Sequence, residues 1–257
     1  MPGTKPLAEP CDIVYLYDGS LPGLFCCIHE SVYTRELPFA IQPEGEMQMA
    51  LFFRKRIATD MSKAEKVRVA MAAKISPRAL ELMQTVFCSC LEDKEMALLR
   101  FALLAFTQGP KVLNMLAHPD VATLLEAEKH LLRERHLLTG FVRFSDCDGK
   151  LISTISPKNF VLPFLAGHFA DRFGNEAFAI YDKTHKAALF HQNGRIELVE
   201  LNEAEMPKVG ETEEQYRALW RQFYKTIAIE DRYNPKCRMN HMPKRYWENM
   251  TEMQELL

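Results

Sequence analysis

The sequence predicts an α+β protein with small mixed sheets, a helical insertion, and a C-terminal segment that is first helical and then extended. Three observations carry this reading. Apolar residues alternate with period two near the start, from Asp12 to Tyr17, and again across 139–201. Between these stretches, from about Ser62 to Leu138, apolar residues return every three or four positions, the helical spacing. Two turn signals, Asp148-Gly149 and Asn193-Gly194, then punctuate the second period-two stretch as hairpins.

The first strand, Asp12 to Tyr17, runs into Asp18-Gly19-Ser20, which turns the chain into a helix over Leu21 to Arg35 with Ser20 as N-cap. Phe39 to Gln42 reads as a short strand ended by Pro43. Met49 to Ile57 reads as another, carrying the basic cluster Arg54, Lys55 and Arg56. In the helical block, Ser62 and Ser76-Pro77 are helix starts, with Pro77 at the tolerated first-turn position. Gly109-Pro110 and His118-Pro119-Asp120 break the block. Phe141 to Phe144 and Leu151 to Ile155 are predicted strands. Pro157 opens a helix to about Phe173, and strands follow at Ala177 to Tyr181, Ala187 to His191 and Ile196 to Leu201. The order is β-β-α-β-β-β. Four segments result: a strand-helix-strand unit over 1–58, the helical block over 59–138, the β-rich unit over 139–201, and a C-terminal segment over 202–257 that folds with the rest as one domain.

Composition limits the function classes. The chain has 257 residues, 47% apolar and 26% charged, with 32 Lys plus Arg against 34 Asp plus Glu and a net charge of −2. That excludes a polybasic chain and an acidic disordered one. The N-terminus lacks a basic stretch followed by an apolar core, and the most apolar stretch, Ala97 to Phe106, is short and contains Arg100. No signal peptide or membrane span is expected, so a cytoplasmic protein without membrane partners is. Seven cysteines at irregular spacings, with no C-x-x-C pair, argue against a disulfide framework, a zinc ribbon or an iron–sulfur site. Cys88 and Cys90 are expected as buried free thiols on a helix.

Near-neutrality hides segregation. Residues 217–247 hold Arg217, Arg221, Lys225, Arg232, Lys236, Arg238, Lys244 and Arg245 against Glu230 and Asp231, eight against two, or +6. Both tryptophans, Trp220 and Trp247, lie there with Phe223, Tyr224, Tyr233 and Tyr246. A helix from about Glu213 to Ile229 puts Tyr216, Trp220, Phe223, Tyr224 and Ile227 on one stripe and Arg217, Arg221 and Lys225 on another. Beyond it, prolines favour extended or turn conformations. Aromatic rings beside cations suit a single-stranded nucleic acid, in which bases stack and phosphates meet positive charge. A tail strapped across the domain with Trp247 as its anchor fits the same residues. A second island at 54–78 has eight cations, Arg54, Lys55, Arg56, Lys63, Lys66, Arg68, Lys74 and Arg78, against Asp60 and Glu65, again +6. An acidic stretch, 200–216, separates the β-rich unit from the C-terminal helix.

Arg232-Tyr233-Asn234-Pro235-Lys236 followed by Met242-Pro243-Lys244-Arg245-Tyr246-Trp247 resembles the C-terminal signature of a bacterial family of unknown function, the domain of unknown function 4130, labelled as DNA metabolism proteins. Tyr17-Asp18-Gly19-Ser20, Gly140-Phe141-Val142-Arg143-Phe144, His168-Phe169-Ala170-Asp171-Arg172-Phe173, and Trp220 with Phe223-Tyr224 before Ile227-Ala228-Ile229-Glu230 extend the resemblance along the chain in order. Cys237-Arg238-Met239-Asn240-His241 departs from the family's more glutamine-rich spacer. The resemblance implies a DNA-repair setting and a radical-SAM DNA modification or repair protein as neighbour. A related domain is fused to uracil-DNA-glycosylase-like proteins. It implies neither a reaction nor catalytic residues.

Motifs of known chemistry are absent: no phosphate loop, no dinucleotide fingerprint, no nucleophile elbow and no zinc-deaminase signature. Gln108-Gly109-Pro110 reads as a helix break, and Leu138 to Phe144 matches only half of an RNA-recognition strand, with Arg143 outward. Asp18-Gly19-Ser20 reads as an ordinary capped turn. His168 and Asp171, with Arg172 beside them, and Asp182, His185 and His191 on nearby elements, would form an acid–base or metal centre only if they converged. No metal and no cofactor is therefore expected. The leading expectation is a nucleic-acid-binding accessory protein of DNA repair or modification acting with the radical-SAM partner. Arg217, Arg221, Lys225, Arg232, Lys244 and Arg245 would meet phosphate, and Trp220, Tyr233, Tyr246 and Trp247 would stack or brace. The alternatives are an enzyme of DNA base or nucleotide chemistry and a protein–protein adaptor.

Overall fold

Residue contacts divide the chain into two units, 1–131 and 132–257. The computed structural model describes residues 7–45, 52–147, 149–201, 211–226 and 234–254.

The first unit opens with β1 (Glu9–Pro10), β2 (Ile13–Tyr17), α1 (Leu21–Thr34), β3 (Glu36–Leu37), β4 (Ala40–Pro43) and β5 (Phe53–Arg56). β1 pairs with β3, and β2 is the middle of a parallel sheet of order β4-β2-β5. The near-continuous apolar run Ile13-Val14-Tyr15-Leu16-Tyr17 suits a central parallel strand covered on both faces, and Tyr15 and Tyr17 are fully buried. Ser20 caps α1 as expected, its hydroxyl accepting from the Gly23 N–H at 3.0 Å.

The helical block follows as α2 (Met61–Ala70), a π-helical turn (Met71–Ile75), α3 (Pro77–Phe87), α4 (Lys94–Gln108), a 3-10 turn (Gly109–Asn114) and α5 (Pro119–Phe141). Asp60, not Ser62, caps α2: its carboxylate accepts the N–H groups of Ser62 and Lys63 and also the Ser62 hydroxyl. Ser76 caps α3 with Pro77 in the first turn, as predicted. α3 ends at Phe87, so Cys88 is half-buried and Cys90 exposed beyond the helix, rather than buried upon it. None of the seven cysteines is joined in a disulfide.

α5 runs past its expected end and absorbs Phe141 from the predicted strand Phe141–Phe144. Leu131, Glu134, Leu138 and Phe141 continue one helical stripe, and the Val142 N–H still reaches the Leu138 carbonyl at 3.1 Å. The hairpin is correspondingly shorter, β6 (Ser145–Cys147) and β7 (Lys150–Ile155), with Gly149 at φ +77° in its turn. α6 (Leu162–Phe173) starts five residues after Pro157, and Pro163 takes the tolerated first-turn position. Then come β8 (Phe178–Asp182), β9 (Ala187–Gln192) and β10 (Arg195–Glu200).

These strands form one sheet of order β10-β9-β8-β7-β6. Only β7 and β8, linked through α6, run parallel; the other neighbours are antiparallel. The predicted β-β-α-β-β-β order is the observed one. β8 is buried throughout, and Phe144, Phe169, Phe173 and Phe178 pack ring on ring against it. Asn193 and Gly194 both have positive φ, +51° and +73°, which a two-residue hairpin turn of matching twist requires.

The C-terminal stretch forms α7 (Glu211–Thr226), α8 (Pro235–His241) and a 3-10 turn (Lys244–Asn249). It is more helical than its prolines suggested. Asn234 caps α8 by accepting from the Cys237 N–H, and Pro235 and Pro243 sit at starts, where no backbone donor is needed. No described helix is long and apolar enough to cross a membrane.

Candidate functional site

The second unit is held by two buried carboxylates. Glu134 of α5 is 1% exposed and Glu252 is 7% exposed. An ionised carboxylate in such a place must be fully hydrogen-bonded. Glu134 accepts from the backbone N–H of Asn159 (2.8 Å) and Lys158 (3.1 Å), from the Asn159 amide (2.6 Å) and from the Tyr246 hydroxyl (3.1 Å). The Arg245 guanidinium lies 3.1 Å away. Burial alone would raise the Glu134 pKa; the backbone and Asn159 hydrogen bonds and the Arg245 charge hold it below the ordinary carboxylate range. Glu252 is likewise held low against its burial by Arg143, 2.6 Å away, and by the Trp220 indole N–H, 3.1 Å away.

This network gives Arg245 and Tyr246 of the C-terminal signature a place in the fold. Tyr246 and Trp247 are buried at 3% and 2% exposure, so both brace the fold and neither presents a ring to a base. Burial, followed by the charge of Glu134, pushes the Tyr246 phenol up to about 12. The Trp247 indole donates to the Met242 carbonyl at 2.9 Å, and Arg238 and Lys244 lie over its ring at 5.3 and 5.6 Å. Arg245 also lies over the Tyr246 ring and donates to its hydroxyl. Lys244 and Arg245 thus attend aromatic rings and a buried carboxylate. Lys225's side chain, Arg232 and Tyr233 lie outside the described residues.

α7 behaves differently. Arg217 and Glu213 fasten it to β6: the Arg217 guanidinium donates to the Ser145 hydroxyl at 2.6 Å and to Glu213 at 3.2 Å, and Glu213 accepts the Asp146 N–H at 3.1 Å. Arg221 is half-buried on the same helix. The other face is open. Tyr216, Leu219, Trp220 and Phe223 are 63%, 60%, 42% and 52% exposed, and the rings of Trp220 and Phe223 lie 5.8 Å apart. They line a cleft of about 590 Å³ with Phe144, Arg143 and Arg217. A row of large apolar side chains left in water along one helix marks an interaction surface.

The acid–base candidates are dispersed in environment. His168, Asp171 and Arg172 are exposed on α6. Asp182 is fully buried, and its carboxylate organises the β8–β9 turn: it accepts the N–H groups of Thr184 (3.0 Å) and His185 (3.1 Å) and sits 2.6 Å from the His185 ring. His191 is buried, bonded to the Glu176 carbonyl and stacked on Phe178. Among the described residues, no group of three or more His, Cys, Asp or Glu side chains is placed to hold a metal ion.

Sequence reasoning missed Glu134, Glu252 and Arg143. Glu134 had a signal: it occupies an apolar slot of the α5 stripe between Leu131 and Leu138. Arg143 was expected outward on a strand; it stands instead in irregular chain and reaches Glu252.

The two units therefore define an α+β protein in which Tyr246 and Trp247 of the C-terminal signature are buried and an aromatic row on α7 is exposed along a cleft. The sequence model of one protein family, the domain of unknown function DUF4130, matches residues 92–252, and the chain belongs to that family. Tyr17-Asp18-Gly19-Ser20 lies outside the matched range. No curated protein matches the chain.

Proposed function

We propose that the chain is a nucleic-acid-binding accessory protein of DNA repair or modification, and that the α7 cleft engages the unstacked bases of a single strand. The observation that carries this reading is the exposed row Tyr216, Trp220 and Phe223 along a cleft edged by Arg143 and Arg217. Stacking on such rings contributes about 1–3 kcal/mol per base and tolerates any sequence. The guanidiniums add planar stacking and phosphate contacts, tempered by their own bonds to Glu252 and Glu213. Acid–base chemistry at His168, Asp171 and Arg172 draws no support from Asp182, whose carboxylate is committed to its turn. The test is fluorescence anisotropy of a labelled single-stranded oligonucleotide. Binding by the intact chain, weakened about tenfold or more by Trp220→Ala, is expected. Equal affinity of the two proteins would overturn the reading.

A second reading has its own observation. Leu219, 60% exposed amid the aromatic row, offers a base nothing and suits the apolar face of a protein. In this adaptor reading the radical-SAM protein suggested by the family resemblance docks on α7. Co-purification of that protein, lost on Leu219→Asp while oligonucleotide binding persists, would favour it.

A further inference from the structure

A second cleft lies within the first unit, about 380 Å³, walled by α1 on one side and by α2 with its π-helical turn on the other. Its chemistry differs from that of the α7 cleft. Lys66 and Lys74 both line it, and among the described residues neither has an ion-pair partner and no acidic side chain lines the cleft. The backbone explains how two lysines eight positions apart share one site. In an α-helix, eight residues overshoot two full turns by about 80°. The wider turn over Met71–Ile75, in which the Ser76 N–H reaches the Met71 carbonyl at 3.0 Å, turns less per residue and reduces that offset. Ala70, midway between the lysines, leaves a hollow between them. Phe106 contributes an apolar wall, and Tyr33, 82% exposed, stacks on the His29 ring at the rim. The Nδ1 atom of His29 is buried without a hydrogen-bond partner among the described residues.

We propose that this cleft binds an aryl phosphate monoester. Two uncompensated ammonium groups match the charge of a phosphate monoester, about −1.5 to −2 at neutral pH. The apolar wall and the rings of Tyr33 and His29 match an aromatic group. The volume falls within the range of small-ligand sites, about 300–1,000 Å³. The cleft is built wholly from the first unit, so this inference stands apart from the α7 reading.

The probe is 1-naphthyl phosphate, titrated into the intact chain by isothermal calorimetry, with 1-naphthol and inorganic phosphate as partial ligands. Saturable binding at least tenfold tighter than that of either partial ligand is expected. Lys66→Met with Lys74→Met should weaken it at least tenfold; both side chains are exposed, so the fold is retained. Ala70→Leu should abolish binding with both lysines present, by filling the hollow. Absence of saturable binding, naphthol binding as tightly as its phosphate, or unchanged affinity in the double lysine variant would each overturn the proposal.

Discussion

Two stretches with the same formal charge, 54–78 and 217–247, differ in how far their cations are already engaged. In the first, Lys55, Arg56, Arg68 and Arg78 are ion-paired, while Arg54, Lys63, Lys66 and Lys74 have no ion-pair partner among the described residues. In the second, Arg217 fastens α7, Arg245 serves buried Glu134, and Arg238 and Lys244 flank the buried Trp247. Net charge counts residues; what a partner can feel depends on which of them already have counter-charges. One feature is shared: each stretch supplies an arginine to a buried glutamate of α5, Arg78 to Glu128 and Arg245 to Glu134.

The largest effect expected from breaking the second stretch is at Glu134. Glu134→Ala strips partners from two backbone N–H groups, an amide and a guanidinium, and should cost about 3–5 kcal/mol in chemical denaturation. Trp247→Ala should cost a similar amount, about 3–5 kcal/mol, because it empties a packed site. Trp220→Ala, on the open face, strips the indole donor from buried Glu252 and should cost about 1–3 kcal/mol, less than Trp247→Ala, while affecting binding most. Equal destabilisation by the two tryptophan substitutions would erase the distinction between anchor and surface.

Acidity sharpens the comparison. Glu134 and Glu252 have folded-state pKa values below the ordinary range, so the unfolded chain takes up their protons first as pH falls. Their contribution is fully present above about pH 5 and declines progressively below about pH 4.3. Denaturation midpoints measured from pH 6 to pH 3 should fall, and Glu252→Gln should flatten part of that decline. The smallest expected effect is at the β9–β10 turn, where Gly194→Ala places a Cβ at φ +73° and should cost about 1 kcal/mol.

Much of the fold was legible because it is written locally. Ser20 and Ser76 cap helices, and Gly149 and Asn193-Gly194 turn hairpins, through groups a few residues apart; Asp148 lies outside the described residues. The misread points are those where a distant partner decides. Val142 to Phe144 looks like a strand until the α5 stripe is followed through Glu134, whose burial depends on Asn159, Arg245 and Tyr246 far along the chain. Similarly, α6 begins at Leu162 while Asn159, ahead of it, is held by Glu134. The aromatic row of α7 was visible as spacing, but the same composition made Tyr246 and Trp247 look equivalent to Trp220. Only burial separates them.

The central claim is that, among the described C-terminal cations, Arg217, Arg238, Lys244 and Arg245 serve the fold, and that the proposed binding is carried by the α7 rings. The salt dependence of single-stranded oligonucleotide affinity tests it most directly. Each phosphate engaged on a single strand adds about −0.7 to the slope of log affinity against log salt. A shallow slope of about −1.4, the contribution of two phosphates, with affinity lost in Trp220→Ala, is the predicted result. A slope near −5, as a fully available basic stretch would give, with affinity indifferent to Trp220→Ala, would contradict it.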